Sequence, residues 1–298
     1  MGDTKLSASR VIFNIVNYSV LITILLLCIY PLWYVFIYSI SDTSSGIINM
    51  TLLPHKLDLT NYTKVFLISG VFRAFFVSVS RTVVGTISTV LACMLLGYLF
   101  SKQRMPFRRL LYRILIVTMY VSGGLIPTYL VINAYELRNT FAVYILPSVV
   151  NAFYVILTKT FIEHLSPSME ESARMDGANT IVVFIYIILP LSSAIIATIS
   201  VFTAVGQWNA WFDNHIYTFG NPKLLTMQYM LYNYLNEVAV LIRQMEESPG
   251  AIGLDFSNVT PKGIRMTITI VTVLPILLVY PFMQRYFVKG IMIGAVKG

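Results

Sequence analysis

The side chains that usually carry out chemistry are few in this sequence and lie far apart. The three histidines, His55, His164 and His215, fall in different segments, and both cysteines lie inside apolar runs. These positions match none of the spacings of a zinc protease, a serine hydrolase or a structural metal site. The sequence also lacks a G-x-x-x-x-G-K-[ST] loop, so the chain cannot be its own ATPase. We therefore predict that it is not an enzyme and holds no cofactor of its own.

One short charged stretch, residues 166–190, has a more specific spacing and stands between two long apolar runs. Ser166 is suited to be a helix N-cap followed by proline, and Ser168 with Glu171 offers a second, capping-box start. Gly177 is predicted to end this helix. A small helix that leaves one apolar segment and turns back into the next is suited to contact a partner protein.

This stretch resembles the EAA loop of ABC importer permeases. Glu171-Ser172-Ala173 occupies the place of the EAA triplet, with serine instead of the family's first alanine. Gly177 and the segment Ile187-x-Leu189-Pro190 follow at the family's spacing. A match to both halves of the motif between two apolar spans is far more specific than one glutamate and one glycine.

Two further details are similar to the second, smaller permease of maltose-type carbohydrate importers. They are Asp176-Gly177-Ala178 and the C-terminal Val296-Lys297-Gly298. The resemblance implies an all-α integral membrane fold with six transmembrane helices, the type I ABC importer permease architecture.

The resemblance also implies partners and contact residues. The partners would be a second homologous permease, a dimer of ATP-binding cassette subunits that holds ATP and magnesium, and an extracellular solute-binding protein. The residues expected to couple to the ATPase are Met169, Glu171, Ser172, Ala173, Asp176, Gly177 and Ala178. The residues expected to reach the ATPase from the C-terminal tail are Val296, Lys297 and Gly298.

The composition alone predicts an integral membrane protein. Hydrophobic residues make up 57% of the chain and charged residues only 11%, which excludes an ordinary soluble domain of this length. The formal net charge of +8 is interpreted as membrane topology and not as nucleic-acid binding, because the basic residues cluster between apolar runs.

Six runs without charged residues predict six spans in a single permease domain, 1–298, because each run approaches or exceeds the roughly 20 residues that cross a bilayer as a helix. The runs are 11–41, 82–101, 114–135, 139–158, 177–212 and 266–284, and several of the spans extend beyond them to flanking charged residues. The predicted spans are 11–40, 72–101, 110–135, 139–161, 180–211 and 264–287. The loop at 164–179 and the loop at 213–262 then lie on opposite sides of the membrane.

The basic residues predict the orientation. With the N-terminus inside, the shorter loops hold most of the lysines and arginines, as in the basic turn 102–113. By the positive-inside rule both termini and the 164–179 loop are cytoplasmic. Anionic lipid headgroups are the expected contacts of the basic turn. We predict a multi-pass protein of the plasma or inner membrane.

Polar and aromatic side chains inside the spans are candidates for the substrate pathway, because amides bind sugar hydroxyls and aromatic rings stack on sugars. The candidates are Arg81, Asn151, Tyr154, Gln207, Trp208 and Asn209. The alternative for the uncharged ones is that they anchor or join helices. Arg81 either lines a cavity or gate, or snorkels to the interface.

The sequence thus favours the permease subunit of an ATP-driven sugar importer, with an oligosaccharide as substrate. It forms half of the pathway and couples to a separate ATPase through the helix in 166–179. The alternative is a secondary transporter or channel without an ATPase partner. Acidic residues at mid-membrane would be expected for ion coupling, but here they all lie in loops or at span ends.

Overall fold

The computed structural model describes residues 8–42, 53–54, 56–67, 70–236 and 261–295. Helices dominate this part of the chain, and its only β-pairing is an isolated bridge between Ser41 and Leu57. The all-α prediction is therefore confirmed for the described residues.

Three helices are long and apolar enough to cross a membrane. They are α1 (Ala8–Ser39), α3 (Val71–Ser101) and α13 (Pro261–Ala295), with 32, 31 and 35 residues. At about 1.5 Å per residue each exceeds the ~30 Å of a bilayer core. Among the described residues the number of spans rises to five if each of two bent helix pairs counts as one.

The other helices are shorter. They are α2 (Thr60–Leu67), α4 (Arg108–Tyr120), α5 (Leu125–Ala134), α6 (Ala152–Glu163), α7 (Pro167–Met175), α8 (Thr180–Val183), α9 (Leu189–Leu191), α10 (Ser193–Asn209), α11 (Phe212–Tyr217) and α12 (227–236). A π-helical turn, Phe184–Ile188, joins α8 to α9, and 3₁₀ turns at Phe141–Tyr144 and Leu146–Ser148 precede α6.

The breaks inside the predicted spans occur at glycine and proline. The helix α4 ends where Val121 takes an extended backbone, and Gly124, with φ +79°, is the last residue before α5; a right-handed helix cannot pass through that conformation. Thr180–Leu191 and Ser193–Asn209 are bent by 79° just after Pro190, which removes a helix hydrogen bond.

The chain divides into two compact units. The first comprises residues 1–68 and 234–273, and it contains α1, α2 and the first part of α13. Within it, Ser39 and Tyr62 share a hydrogen bond of 2.8 Å between their hydroxyl oxygens. The second unit comprises residues 69–233 and 274–298, and it contains every described residue predicted to couple to the ATPase or to line the pathway.

Helix α3 is the centre of the second unit, where it packs against α6 and α10. Cys93 and Gly97 on α3 face Val155 and Thr158 on α6; Cys93, Val155 and Thr158 are fully buried. A Cβ atom on Gly97 would lie 2.6 Å from the Cβ of Thr158 and 2.9 Å from the backbone nitrogen of Lys159. The close approach of the two helices therefore requires glycine at position 97.

Gly97→Ala should destabilise the protein by about 1–3 kcal/mol, the usual cost of overpacking a core. The added methyl group meets the backbone of α6, which cannot rotate away. Gly206→Ala on α10 is the matched control, because a Cβ there meets nothing within 4 Å. Thermal unfolding of the purified protein in detergent measures both; equal melting temperatures for the two variants would contradict the packing argument.

Candidate functional site

The predicted contact helix is present as α7, Pro167–Met175. Ser166 occupies the N-cap position with proline after it, as predicted, but its hydroxyl pairs with that of Ser168 at 2.7 Å and not with the backbone. The capping-box start at Ser168 is wrong, because the helix already begins at Pro167.

The end of α7 follows the prediction at Gly177. The amide of Gly177 donates to the carbonyl of Arg174 (3.1 Å), and the amide of Ala178 donates to that of Ala173 (2.9 Å). This pair of bonds is a Schellman motif, which requires a left-handed residue after the helix. Gly177 has φ +87°, so glycine is the favoured residue there.

The coupling candidates do not all share one exposed face of α7. Met169, Glu171, Ser172 and Asp176 are exposed, together with Met175, which is 88% exposed. Ala173, by contrast, is partly buried against the chain's own core, as is Ala178. Ala173 therefore offers less of its surface to a partner than the other coupling candidates on α7, because it packs against the chain's own core. Met175 was missed, although an apolar side chain in a polar helix could have indicated it.

Glu170 forms the polar contacts between α7 and α3. Its carboxylate pairs with Lys102 at the C-terminal end of α3 and accepts a 3.3 Å hydrogen bond from the hydroxyl of Tyr98. Arg174, one turn further along α7, donates to the same carboxylate at 2.9 and 3.2 Å. We call these four residues the Glu170 cluster. The i,i+4 spacing of Glu170 and Arg174 was visible in the sequence, whereas Lys102 and Tyr98 were not identifiable as partners.

The Glu170 cluster keeps its carboxylate ionised at neutral pH. Burial alone would raise the pKa of Glu170, but the hydrogen bonds from Lys102 and Arg174 outweigh burial and lower its pKa below the ordinary value. A lowered folded-state pKa means that the stabilisation is present at neutral pH and is lost only when the pH falls through that lowered pKa.

Further basic residues surround the same end of the unit. Arg108 and Lys159 both pair with Glu163 at 2.7 Å, while Arg104 and Arg109 are exposed. An excess of exposed positive charge thus lies beside α7, as expected for a loop region that contacts anionic lipid.

Arg81 lies nearer the opposite end of α3, about 30 Å from Lys102 along the helix axis. Its guanidinium is buried, 3% exposed, and forms an ion pair with Asp213. It also donates to the side-chain oxygen of Gln207 at 2.9 Å and to the carbonyl of Ala210 at 3.1 Å. The ring of Tyr144 covers its other side, 4.6 Å from the guanidinium carbon. Arg81 does not reach the surface, so the snorkelling alternative is wrong.

The remaining pathway candidates are not brought into one site. Gln207 bonds Arg81 and the hydroxyl of Ser148, and Trp208 is buried with its ring 6.1 Å from that of Phe75. Trp208 also lines an apolar cavity of about 240 Å³, whose walls offer few hydrogen-bond partners for a sugar.

Asn151 and Tyr154 belong to the start of α6, which lies beside Cys93 of α3. Asn151 caps α6 by accepting a bond from the amide of Tyr154 (3.2 Å), and its carbonyl accepts from Cys93. Cys93 is twelve residues beyond Arg81, about 18 Å along α3. Asn209 is exposed and accepts from Gln228 at 3.0 Å. The role of all these residues in substrate passage stays a prediction, and Val296, Lys297 and Gly298 lie outside the described residues.

A family model described as "Binding-protein-dependent transport system inner membrane component" matches residues 89–293. The matched range contains α7 and the whole EAA-like stretch. The chain belongs to this family.

The permease is similar to named bacterial proteins over most of its length. It is 32% identical to the polygalacturonan/rhamnogalacturonan transport system permease protein YtcP of Bacillus subtilis (strain 168), over 96% of this chain and 99% of YtcP. It is 37% identical to protein LplC of the same organism, over 83% of this chain and 81% of LplC. It is 28% identical to the lactose transport system permease protein LacG of Rhizobium radiobacter, over 95% of this chain and 96% of LacG.

A solved structure has the same fold. The crystal structure of a bacterial ABC transporter involved in the import of the acidic polysaccharide alginate contains a chain with a TM-score of 0.83 and 27% identity to the permease. The match covers 94% of this chain and 98% of the other. The predicted integral membrane fold of the type I importer permease architecture is therefore confirmed.

These findings confirm the resemblance to carbohydrate ABC importer permeases. The permease is a multi-pass protein of the cell membrane and a transport component, not an enzyme. The family implies a partner permease, an ATPase and a substrate-binding protein.

Proposed function

We propose that this permease forms one half of the translocation pathway of an ATP-driven oligosaccharide importer and that α7 couples it to the ATPase. A second, homologous permease forms the other half, and two ATP-binding cassette subunits lie beneath the pair. An extracellular solute-binding protein delivers the sugar. The exposed face of α7 is the observation that carries this proposal.

That face has the chemistry of a protein contact. Met169 and Met175 offer exposed apolar side chains, and Glu171 and Asp176 flank them with negative charge. Thioether side chains adapt to irregular clefts, and carboxylates pair with basic or amide donors. A cleft with an apolar floor and a basic or amide rim on the ATPase is thus the complementary surface.

The coupling follows from rigid-body motion. ATP-driven closure of the ATPase pair moves the clefts that hold α7 in each permease, and the two permeases change from inward-open to outward-open. The Schellman motif at Gly177 makes the turn after α7 short, so displacement of α7 is delivered directly to the helix that follows.

The proposed orientation places the α7 end of the second unit, with both termini, in the cytoplasm. Lys102, Arg104, Arg108, Arg109 and Arg113 all lie at that end, within twelve residues of chain. The positive-inside rule favours retention of such a loop in the cytoplasm.

The names of the relatives support an oligosaccharide as the substrate, and acidic glycans are the first candidates to test. YtcP is named for polygalacturonan and rhamnogalacturonan, the alginate transporter imports an acidic polysaccharide, and AraQ of Halalkalibacterium halodurans is named for arabinooligosaccharides. Binding of the cognate solute-binding protein to a glycan panel would identify the substrate.

Site-directed cross-linking tests the contact. A photo-cross-linker attached to Ser172→Cys should form an adduct with the ATPase in membranes that contain the complete importer, because Ser172 lies on the exposed face of α7. The exposed Cys28 is first changed to alanine, whereas the buried Cys93 can remain.

Lys223→Cys is the matched control, since it is also exposed but follows α11, away from α7. An ATPase adduct from position 223 and none from position 172 would overturn the proposal. So would labelling of position 172 by an impermeant thiol reagent added to intact cells.

A further inference from the structure

Helix α7 is only loosely packed on the rest of its unit. A cavity of about 460 Å³ separates it from the ends of α3 and α6, with Lys102, Arg108, Glu163, Met169 and Glu170 among its lining residues. No residue of α7 is fully buried. Ala173 packs, partly buried, against the core cluster, while Met169 is 47% exposed, so apolar burial restrains α7 only weakly and polar contacts must add to it.

The Glu170 cluster lies at the edge of this cavity and provides that restraint. The side chains of Glu170 and Lys102 are 15% and 27% exposed, so water screens their pairing less than that of a surface ion pair. The amine of Lys102 also lies 4.4 Å from the ring centroid of Tyr98. The carboxylate thus has three donors, from Lys102, Tyr98 and Arg174, two of which belong to α3 and its C-cap.

Tyr98 connects the cluster to the core. It is fully buried, and its ring centroid is 5.4 Å from that of Phe184 in the π-helical turn after α7. Met94, Ile188 and Ile199 belong to the same core cluster. A force on Glu170 is therefore transmitted to Tyr98 of α3, whose ring is held in the core together with the π-helical turn and α10.

We infer that Glu170 is a positioning residue that holds α7 on the C-terminal end of α3, so that the two helices move as one body. This inference rests on the proposed function of α7 and assigns different roles to two consecutive glutamates. Glu170 points inward and seats the helix, whereas Glu171 points outward and is free to meet the ATPase.

Distance measurements by pulsed electron paramagnetic resonance test this inference in the complete importer. Spin labels at Ser172→Cys on α7 and Leu95→Cys on α3, both exposed, report the separation of the two helices without ATP and with ATP plus vanadate. In the otherwise wild-type protein the distance should be the same in both states. In Glu170→Gln or Lys102→Met it should change with nucleotide, and its distribution should broaden by about twofold because α7 is released locally.

Matched variants make the result specific. Glu163→Gln removes two ion pairs, with Arg108 and Lys159, at the same end of the unit without touching α7. It should leave the distance unchanged, as should the charge-conserving Lys102→Arg. The double variant Lys102→Met/Glu170→Gln should be no worse than either single change, because both remove the same contact.

A nucleotide-independent, narrow distance in Glu170→Gln would overturn the inference, and so would equal broadening in Glu163→Gln. A pull-down of the ATPase through a tag on the permease distinguishes failure of this inference from failure of the proposed function. Glu170→Gln should retain the ATPase, whereas failure of the wild-type α7 to contact the ATPase would refute the proposed function and leave the seating role supported by the distances.

Discussion

Gly177→Asp should abolish sugar transport and the coupling of ATP hydrolysis, while the chain still inserts into the membrane. Position 177 has φ +87°, which costs a residue with a side chain about 1–2 kcal/mol. A carboxylate there also lies at the C-terminal end of α7, where the helix dipole disfavours negative charge. A Cβ atom at position 177 meets nothing within 4 Å in this chain, so a new side chain would project into the space that we assign to the ATPase.

Three substitutions separate these causes. Gly177→Asn has the same size as aspartate but no charge and tolerates left-handed backbone, and Gly177→Ala adds strain with little bulk. If intrusion into the partner is the main cause, alanine should reduce transport least, asparagine more, and aspartate most. Gly220→Ala is the matched control, because it has φ +76° and equally open space but lies after α11.

The measurements are uptake into proteoliposomes, ATP hydrolysis by the complete importer and membrane insertion. Normal uptake in Gly177→Asp would refute the coupling role of α7. Equal losses in Gly220→Ala and Gly177→Ala would show that backbone strain alone explains the effect.

Asp213→Asn should destabilise the permease by about 3–5 kcal/mol, the usual cost of leaving one charge of a buried pair without its partner. The side chain of Arg81 is 3% exposed, and without the carboxylate only neutral groups would face it, the oxygens of Gln207 and Ala210 and the ring of Tyr144.

Arg81→Met should cost less than Asp213→Asn. The carboxylate of Asp213 is 23% exposed, so water can solvate it once the guanidinium is gone. The double variant Arg81→Met/Asp213→Asn should be more stable than Asp213→Asn alone, because no buried charge remains.

Thermal unfolding in lipid nanodiscs measures these differences. Lys56→Met is the control, because it removes an ion pair that is exposed to solvent. Its pairing with Asp42 is long, 3.9 Å, and the lysine is 79% exposed, so we expect a change below about 1 kcal/mol. If Asp213→Asn lowered the stability no more than Lys56→Met does, burial of the Arg81 ion pair would not be important.

Local signals allowed much of the chain to be interpreted before its structure was known. A helix from Pro167 that ends at Gly177 follows from a proline, a glycine and their spacing, which act within a few residues. The break near Gly124 has the same origin. The burial of single residues on α7 was harder to predict, because Ala173 is partly buried by a core that α3, α6, α8, the π-helical turn and α10 build together.

The long-range pairs were beyond a single sequence. Glu170 and Lys102 are separated by 68 residues, and Arg81 and Asp213 by 132. Each of these residues has several possible partners of opposite charge, and no local rule selects one. The close packing of helices selects it, as at Gly97, where the missing side chain brings α3 against α6.

From the sequence alone, composition indicated an integral membrane protein, and the resemblance of residues 166–190 to the EAA loop indicated an all-α importer permease without an ATPase site of its own. Apolar run length and turn chemistry are local properties, so they can be interpreted directly from the order of residues. Only the tertiary structure decided that Glu170, and not Glu171, faces α3, and that Arg81 is neutralised inside the protein. Both outcomes depend on which helices lie side by side, which is set by the packing of the whole unit.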